Sequence, residues 1–290
     1  MLRKYANFCY YQVGEYVLDY TEYFEGLNPQ LSKADIEVSL PEYLSMILMT
    51  TIVVALGSLT ILGSLLTLSS GLSGLITAVM VTALLTALTP VAFYIIPSIL
   101  INSRAAQIED TLPFATMYLS TLAGTGTSLP DIFRNLSEVD EYGEVSKEAQ
   151  KITKDIDTFG MDINEALKRA AERTPSEDFE ELLWGLNHVI TTGGDMREFL
   201  KQESEQLMKE YKRRVEEFSE QLGLIVEMYI TLVVVGSILF TSMSVIMSAF
   251  SDMPPNAIVW IQVIAILLVL PGITAAVIFL IKNISPGGIQ

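Results

Sequence analysis

The sequence predicts an all-α membrane protein: four transmembrane helices in two hairpins, with a cytoplasmic bundle of about six helices between them. Three observations carry this. Mean hydropathy over the 290 residues is +0.42, too apolar for an ordinary soluble domain. The apolar residues gather in four stretches, 43–68, 75–101, 222–249 and 257–281. Each exceeds the roughly 20 helical residues that cross a hydrocarbon layer about 30 Å thick. Between the second and third stretches lies a polar block in which one pattern recurs three times: Gly126-Thr127-Ser128-Leu129-Pro130-Asp131, Gly160-Met161-Asp162-Ile163-Asn164-Glu165 and Gly193-Gly194-Asp195-Met196-Arg197-Glu198. Glycine takes the left-handed conformation that closes one helix. The Ser or Asp oxygen then accepts from free N–H groups of the next helix, with an acid near its positive end. Ser128, Asp162 and Asp195 are therefore expected to cap helix starts, and Asp131, Glu165 and Glu198 to stand at those starts.

Residues 1–42 form an expected N-terminal cytoplasmic amphipathic segment. Tyr5, Phe8, Cys9, Tyr16, Tyr20, Tyr23 and Phe24 recur mostly three or four apart, the spacing of one helix face. That face suits either a membrane surface, where tyrosines sit well, or packing on the rest of the protein. Asn28-Pro29 is expected to break this helix, and Pro41 precedes the first span. The transmembrane hairpin 43–101 turns at Ser69-Ser70-Gly71-Leu72-Ser73-Gly74, and Pro90 and Pro97 are expected to bend its second helix. The second hairpin, 222–281, turns at Ser251-Asp252-Met253-Pro254-Pro255-Asn256, and 282–290 is a cytoplasmic tail.

Charge sets the orientation. Arg3, Lys4 and Lys33 precede the first span, Arg104 and Lys212-Arg213-Arg214 flank the central block, and Lys282 follows the last span. The two short loops carry no Lys or Arg, so both termini and the central block are expected in the cytoplasm. The protein is thereby expected to be a multi-pass protein of the cytoplasmic membrane.

The block 102–221 reads as helical throughout. Its apolar stripes are Phe114, Met117, Tyr118 and Leu122; Leu129, Ile132, Phe133 and Leu136; Ala149, Ile152, Ile156 and Phe159; Ile163, Ala166, Leu167 and Ala170; Phe179, Leu182, Leu183, Leu186 and Ile190; and Met196, Phe199, Leu200, Leu207, Tyr211 and Phe218. Each narrow stripe must be buried against the others. The three pattern glycines lie 34 and 33 residues apart. The intervening segments differ in length, which disfavours a solenoid of repeats. The sixth helix meets only Gly223 and Gly236 before Phe250, so it is expected to continue into the third span.

Several functions find no support. A net charge of −16 opposes nucleic-acid binding. The one cysteine, Cys9, excludes an internal disulfide and a cysteine zinc site. No phosphate-cradling loop, paired histidines or catalytic triad is present, so no catalytic residue, metal or cofactor is expected. His188 reads as a packed or half-exposed side chain. The acids Glu177, Asp178, Glu180 and Glu181 read as the start of a helix after Thr174-Pro175. Glu227, inside the third span, reads as a boundary marker, an inter-helix hydrogen bond or a functional group, because a carboxylate is expensive in a membrane. Gln262 in the fourth span reads as an inter-helix contact.

The stretch Arg104-Ala105-Ala106-Gln107-Ile108-Glu109-Asp110-Thr111-Leu112-Pro113, the run from Leu119 to Gly126, and Ser128-Leu129 resemble the type II secretion system F domain. So do Gly160 to Leu167, Ala171-Glu172-Arg173-Thr174 and the Gly193-Gly194-Asp195 turn leading to Leu200. The resemblance covers about 103–230. It implies a non-enzymatic membrane platform protein of a type IV pilus, Tad pilus, archaellum or type II secretion machine. Its implied partners are a hexameric secretion ATPase, pilin-like subunits and the lipid bilayer. One F domain with four spans is similar to the Tad and archaeal branches, which implies a homodimer or a second platform protein as a further partner. The block 103–222 holds 25 acids against 14 bases, net −11, so Asp131, Glu165 and Glu198 are expected to meet a basic partner surface. The competing class is a polytopic transporter or channel with a cytoplasmic regulatory domain, for which Glu227, Gln262 and the proline bends would line a path.

Overall fold

The computed structural model describes residues 2–18, 21–36, 38–250 and 255–284, and these are helical with short connections. The helices are α1 (Leu2–Leu18), α2 (Leu27–Lys33), α3 (Leu40–Gly124), α4 (Leu129–Ser137), α5 (Glu144–Asp157), α6 (Ile163–Arg173), α7 (Glu177–Thr192), α8 (Met196–Phe250) and α9 (Pro255–Ile284). Packing divides the chain into two compact units, Met1–Lys201 and Gln202–Gln290.

In the first unit, α3 is helical over 85 residues, yet the Tyr43 and Phe93 rings lie 6.2 Å apart, centroid to centroid. The Tyr43 hydroxyl also donates to the Phe93 carbonyl at 2.7 Å. Fifty residues of straight helix would separate them by about 75 Å. The chain therefore reverses within α3, and the two positions are symmetric about residue 68. The expected turn at 69–74 starts just beyond; its backbone is helical, and its side chains, Gly74 apart, lie outside the described ones. Pro90, Pro97 and Pro113 are all carried inside the helix.

Three stretches among the described residues are long and apolar enough to cross a membrane: Leu40–Ser64, Ile76–Gly124 and Met196–Ile246. In each, only 6% of the most apolar window is buried. Side chains such as Ile52, Val53, Leu56, Val235, Ile238 and Leu239 point away from protein. In place of a fourth such span the described part of α9 contains a shorter apolar stretch, Pro271–Ile281. The expected loop before it falls largely on 251–254, outside the described residues.

Asn28-Pro29 opens a helix rather than ending one. Pro29 is the third residue of α2, where the missing N–H has no intrahelical acceptor to lose. Before α3, the Glu42 carboxylate accepts from the Ser39 N–H at 2.8 Å, an arrangement that fixes the helix start. α1 packs on α3: Ala6 and Cys9 are buried with Met46, and Val17 with Leu40, Tyr43 and Leu44.

The central helices bury a core of Ile108, Leu112, Leu119, Ile132, Phe133, Leu136, Ile152, Leu167, Phe179, Leu182, Leu183 and Leu186, all at most 1% exposed. Here α3 packs on α4, α5 and α7, α4 packs on α5, α5 on α6, and α6 on α7. The stripe expected on the first of these segments is rotated. Ile108, Leu112, Ala115, Leu119 and Ala123 face inward, whereas Phe114 and Met117 are exposed. Small residues at 115 and 123 let neighbouring helices approach, a choice that hydrophobicity alone does not reveal. Phe159 is likewise exposed, because α5 ends at Asp157 before the stripe is complete. His188 is exposed on α7.

Candidate functional site

The first unit contains a buried ionic cluster at the point where the second half of α3 leaves its apolar stretch. Arg104 reaches three acceptors: Nε donates to Glu144 Oε2 at 2.9 Å, Nη2 to Glu148 Oε1 at 2.8 Å, and Nη1 to the Lys33 carbonyl at 2.6 Å. The last contact satisfies a carbonyl at the C-terminus of α2, where a cation also meets the negative end of the helix dipole. Beyond Lys33 the chain turns with Asp35 in the left-handed region at φ 56°, a conformation Asp tolerates better than most side chains. There the Asp35 N–H donates to the Ser32 carbonyl and the Ile36 N–H to the Leu31 carbonyl, closing α2. Lys151 of α5 holds the Asp35 carboxylate from the other side.

Glu148 is the centre of this cluster. Its side chain is fully buried and accepts from Arg104, from Lys151 at 3.0 Å and from Arg173 Nε at 3.2 Å. An isolated buried carboxylate would be strongly disfavoured, and three cations around one acid remove that penalty. Asp155, one helical face along α5, lies 3.6 Å from Arg173 and 3.5 Å from Arg169. Glu144 also takes Lys147 at 2.6 Å. Burial pushes the Glu144 carboxyl up, but hydrogen bonds and charge from Lys147 and Arg104 outweigh it and hold the group below its ordinary 4.5. Asp35 is likewise held below 3.8, the effect of burial being overcome by Lys151 first and then Arg104. The cluster thus binds the α2 terminus, the α3 segment at Arg104, α5 and α6 into one joint. Each of its acids lies within ion-pair distance of at least one cation. Among the described residues no group of three or more His, Cys, Asp or Glu is placed to hold a metal.

The three helix joints differ in detail. Gly126, Gly160 and Gly193 all have positive φ, at 80°, 66° and 71°. Asp162 accepts from the Asn164 N–H at 3.0 Å, and Asp195 from the Arg197 N–H at 2.9 Å. At the first joint the Ser128 hydroxyl donates to Asp131 at 2.5 Å and makes no bond to the helix backbone. Asp131 also binds Arg134 at 2.6 Å, and Arg134 reaches Asp157. The first and third joints meet: Arg197 Nη2 donates to the Gly124 carbonyl at 2.7 Å, beside a groove lined by Gly126, Thr127, Gly194 and Asp195. The second joint is held elsewhere, with Asn187 of α7 donating to the Asn164 carbonyl at 2.9 Å. Glu165 and Glu198 are exposed. Asp131, Glu165 and Glu198 thus stand on two separate parts of the unit. Acids 177, 178 and 180 open α7, whose Ser176 hydroxyl accepts from the Phe179 N–H.

In the second unit Glu227 is exposed on α8, and the side chain of Gln262 lies outside the described ones. One contact between α8 and α9 joins the Tyr229 hydroxyl and Thr274 Oγ1, 3.2 Å apart, and sequence reasoning did not single it out. It also gave Glu144, Glu148 and Asp155 no role. The available signal was their register: 145, 148/149, 152 and 155/156 share a face of α5, so two acids fall among core positions.

Residues 115–243 match the family described as type II secretion system (T2SS), protein F. An uncharacterized protein of Methanocaldococcus jannaschii is 31% identical over 134 residues, which is 46% of this chain and 22% of that protein. Flagella accessory protein J of the same organism is 29% identical over 136 residues, 47% of this chain and 24% of that protein. Flagella accessory protein J of Methanococcus voltae is 27% identical over 136 residues, with the same shares. The match thus spans less than a quarter of the length of these curated relatives. No solved structure matches the chain.

Proposed function

We propose that this chain, which carries a type II secretion system protein F domain over 115–243, is a membrane platform protein of an archaellum-like or other type IV filament, or of a related secretion machine. The supporting observation is the placement of that domain. Its helices adjoin long apolar stretches whose side chains face away from protein, and over 136 residues the chain is 27–29% identical to two proteins named flagella accessory protein J. On this reading the protein is not an enzyme. Its central helices are cytoplasmic and meet a hexameric secretion ATPase, and its spans support insertion of pilin-like subunits. A homodimer or a second platform protein completes the machine.

Two features suit the transmission of movement. α8 is 55 residues long and runs from the third joint into an apolar stretch. The Arg104–Glu148 cluster would pass a displacement of α5 or α6 to the end of the first apolar hairpin. The topology that fits has four spans in two hairpins with both termini cytoplasmic. Single cysteines at Ser70, Ser137 and Ser251 in a Cys9→Ser background test it. A membrane-impermeant thiol reagent on intact cells should label the first and third, and labelling at 137 would reverse the orientation. Deletion of the chain should abolish the filament or the secreted cargo, with recovery on re-expression. Intact filaments, combined with lost solute flux in membrane vesicles, would favour a transporter instead.

A further inference from the structure

α1 lies antiparallel along the first arm of α3. The Tyr5 hydroxyl is 3.1 Å from Thr50 Oγ1, Cys9 is buried with Met46, and Val17 with Leu40, Tyr43 and Leu44. On the opposite face of α1, among the described residues, Phe8 is 55% exposed and Tyr11 89%. Exposed aromatic residues on a helix that packs beside a membrane-length apolar arm need an environment.

The length of the arm says which. From Leu40 to the reversal near residue 68, 28 residues of helix measure about 42 Å, roughly 12 Å more than the hydrocarbon layer. From Thr50 to the same point the distance is about 27 Å, which matches that layer. With the polar 69–74 stretch at the far surface, Thr50 marks the near edge of the hydrocarbon and the segment 40–49 rises through the headgroup layer. That segment is the one α1 covers. By the pairing of 5 with 50 and 9 with 46, Phe8 and Tyr11 stand about 4 and 9 Å above Thr50, within the depth of the headgroups. Aromatic rings, tyrosine especially, are favoured at that depth because an apolar body and a polar tip are both accommodated. Lys4, exposed at the Thr50 level, is placed to extend to lipid phosphates.

We propose that α1 is an interfacial collar. Its inner face grips the base of the first apolar hairpin, and its aromatic outer face occupies the headgroup layer on the side of the central helices, fixing the hairpin's depth. The inference rests on the membrane reading above and adds the occupant of this face, the lipid interface. A second copy of the chain or another protein is the alternative occupant.

The test uses the full chain reconstituted in phospholipid vesicles, with Trp184→Phe and Trp260→Phe as background. Single tryptophans are then placed by Tyr11→Trp, Phe8→Trp and Leu56→Trp. Lipids brominated near the headgroup should quench the emission of the Tyr11→Trp and Phe8→Trp variants more than lipids brominated deep in the chain. The Leu56→Trp variant, about 9 Å below Thr50, should show the reverse order. Quenching at 56 with none at 8 or 11 overturns the collar and leaves the membrane reading standing, and a blue-shifted but unquenched signal at 8 and 11 would assign the face to protein. Stronger quenching at 8 and 11 by deep bromines would place α1 in the hydrocarbon and also overturn it. Loss of quenching at 56 overturns the membrane reading itself.

Discussion

Basic residues mark both places where the chain passes between apolar and polar sequence, yet Arg104 and Arg213 live in different surroundings. Arg104 is 8% exposed and binds two carboxylates of α5 and a backbone carbonyl of α2. The Arg213 side chain is 70% exposed, and its ion pair is with Glu217 of its own helix at 3.9 Å. The first is a joint that fixes helices against one another. The second lies on an uninterrupted helix that needs no joint. A charge at a membrane edge therefore says little about whether that edge is fixed; the partners decide.

Four outcomes break or sharpen this contrast. The largest effect is expected from Glu148→Ala, which leaves Arg104, Lys151 and Arg173 short of a buried acceptor. Removing one member of such a buried set costs about 3 kcal/mol or more. Arg213→Ala should cost within about 0.5 kcal/mol, as for other exposed pairs. Urea unfolding of the solubilised chain, followed by Trp184 emission in a Trp260→Phe background, measures both. Equal shifts would remove the distinction between the two edges.

Acid should open the fixed joint next. Asp35 and Glu144 are held below their ordinary values of 3.8 and 4.5. Their contribution is thus complete above the unfolded-state values and is lost as pH falls through the lower folded-state values. Protection of the α2–α5 region from hydrogen exchange should decline below about pH 4, earlier than the protection of α7. Coincident loss in both would mean the cluster has no separate role.

A smaller effect is expected at the joints. Asp162→Ala and Asp195→Ala should each cost about 1 kcal/mol, since each side chain accepts from helix N–H groups. Ser128→Ala should cost less, because that hydroxyl bonds Asp131 instead. The same unfolding measurement ranks the three, and a Ser128 effect as large as the others would show that its hydroxyl does cap the backbone in solution. Asp157, inside α5, carries only an exposed pair with Arg134, so Asp157→Ala should cost less than either aspartate cap.

What was legible in the sequence was local. Glycine before an acid or serine gives left-handed turns and helix starts at 126, 160 and 193, and the absence of breakers after Asp195 gives the continuous α8. What was not legible depended on distant partners. Glu148 adjoins the apolar stripe of Ala149 and Ile152, but its burial as a charge follows from Arg104, 44 residues before it, and Arg173, 25 residues after. Both arginines belong to the motifs that carry the family resemblance, but no spacing reveals that they converge on one acid. The outward turn of Phe114 and Met117 has the same origin, because small residues on the opposite face of α3 admit its neighbours.

The proposed platform role stands or falls with its cytoplasmic partner. The direct measurement is capture of a hexameric secretion ATPase by this chain from solubilised native membranes, compared with the Asp131→Lys, Glu165→Lys, Glu198→Lys triple variant at low and high salt. The account predicts that the ATPase is captured by the parent chain, that salt weakens capture by slowing association, and that the triple variant inserts normally but captures none. Capture by a folded, inserted triple variant equal to that of the parent at low salt would move the docking surface elsewhere and leave these acids only supporting their own helix starts. Absence of any ATPase from the parent's partners would contradict the account.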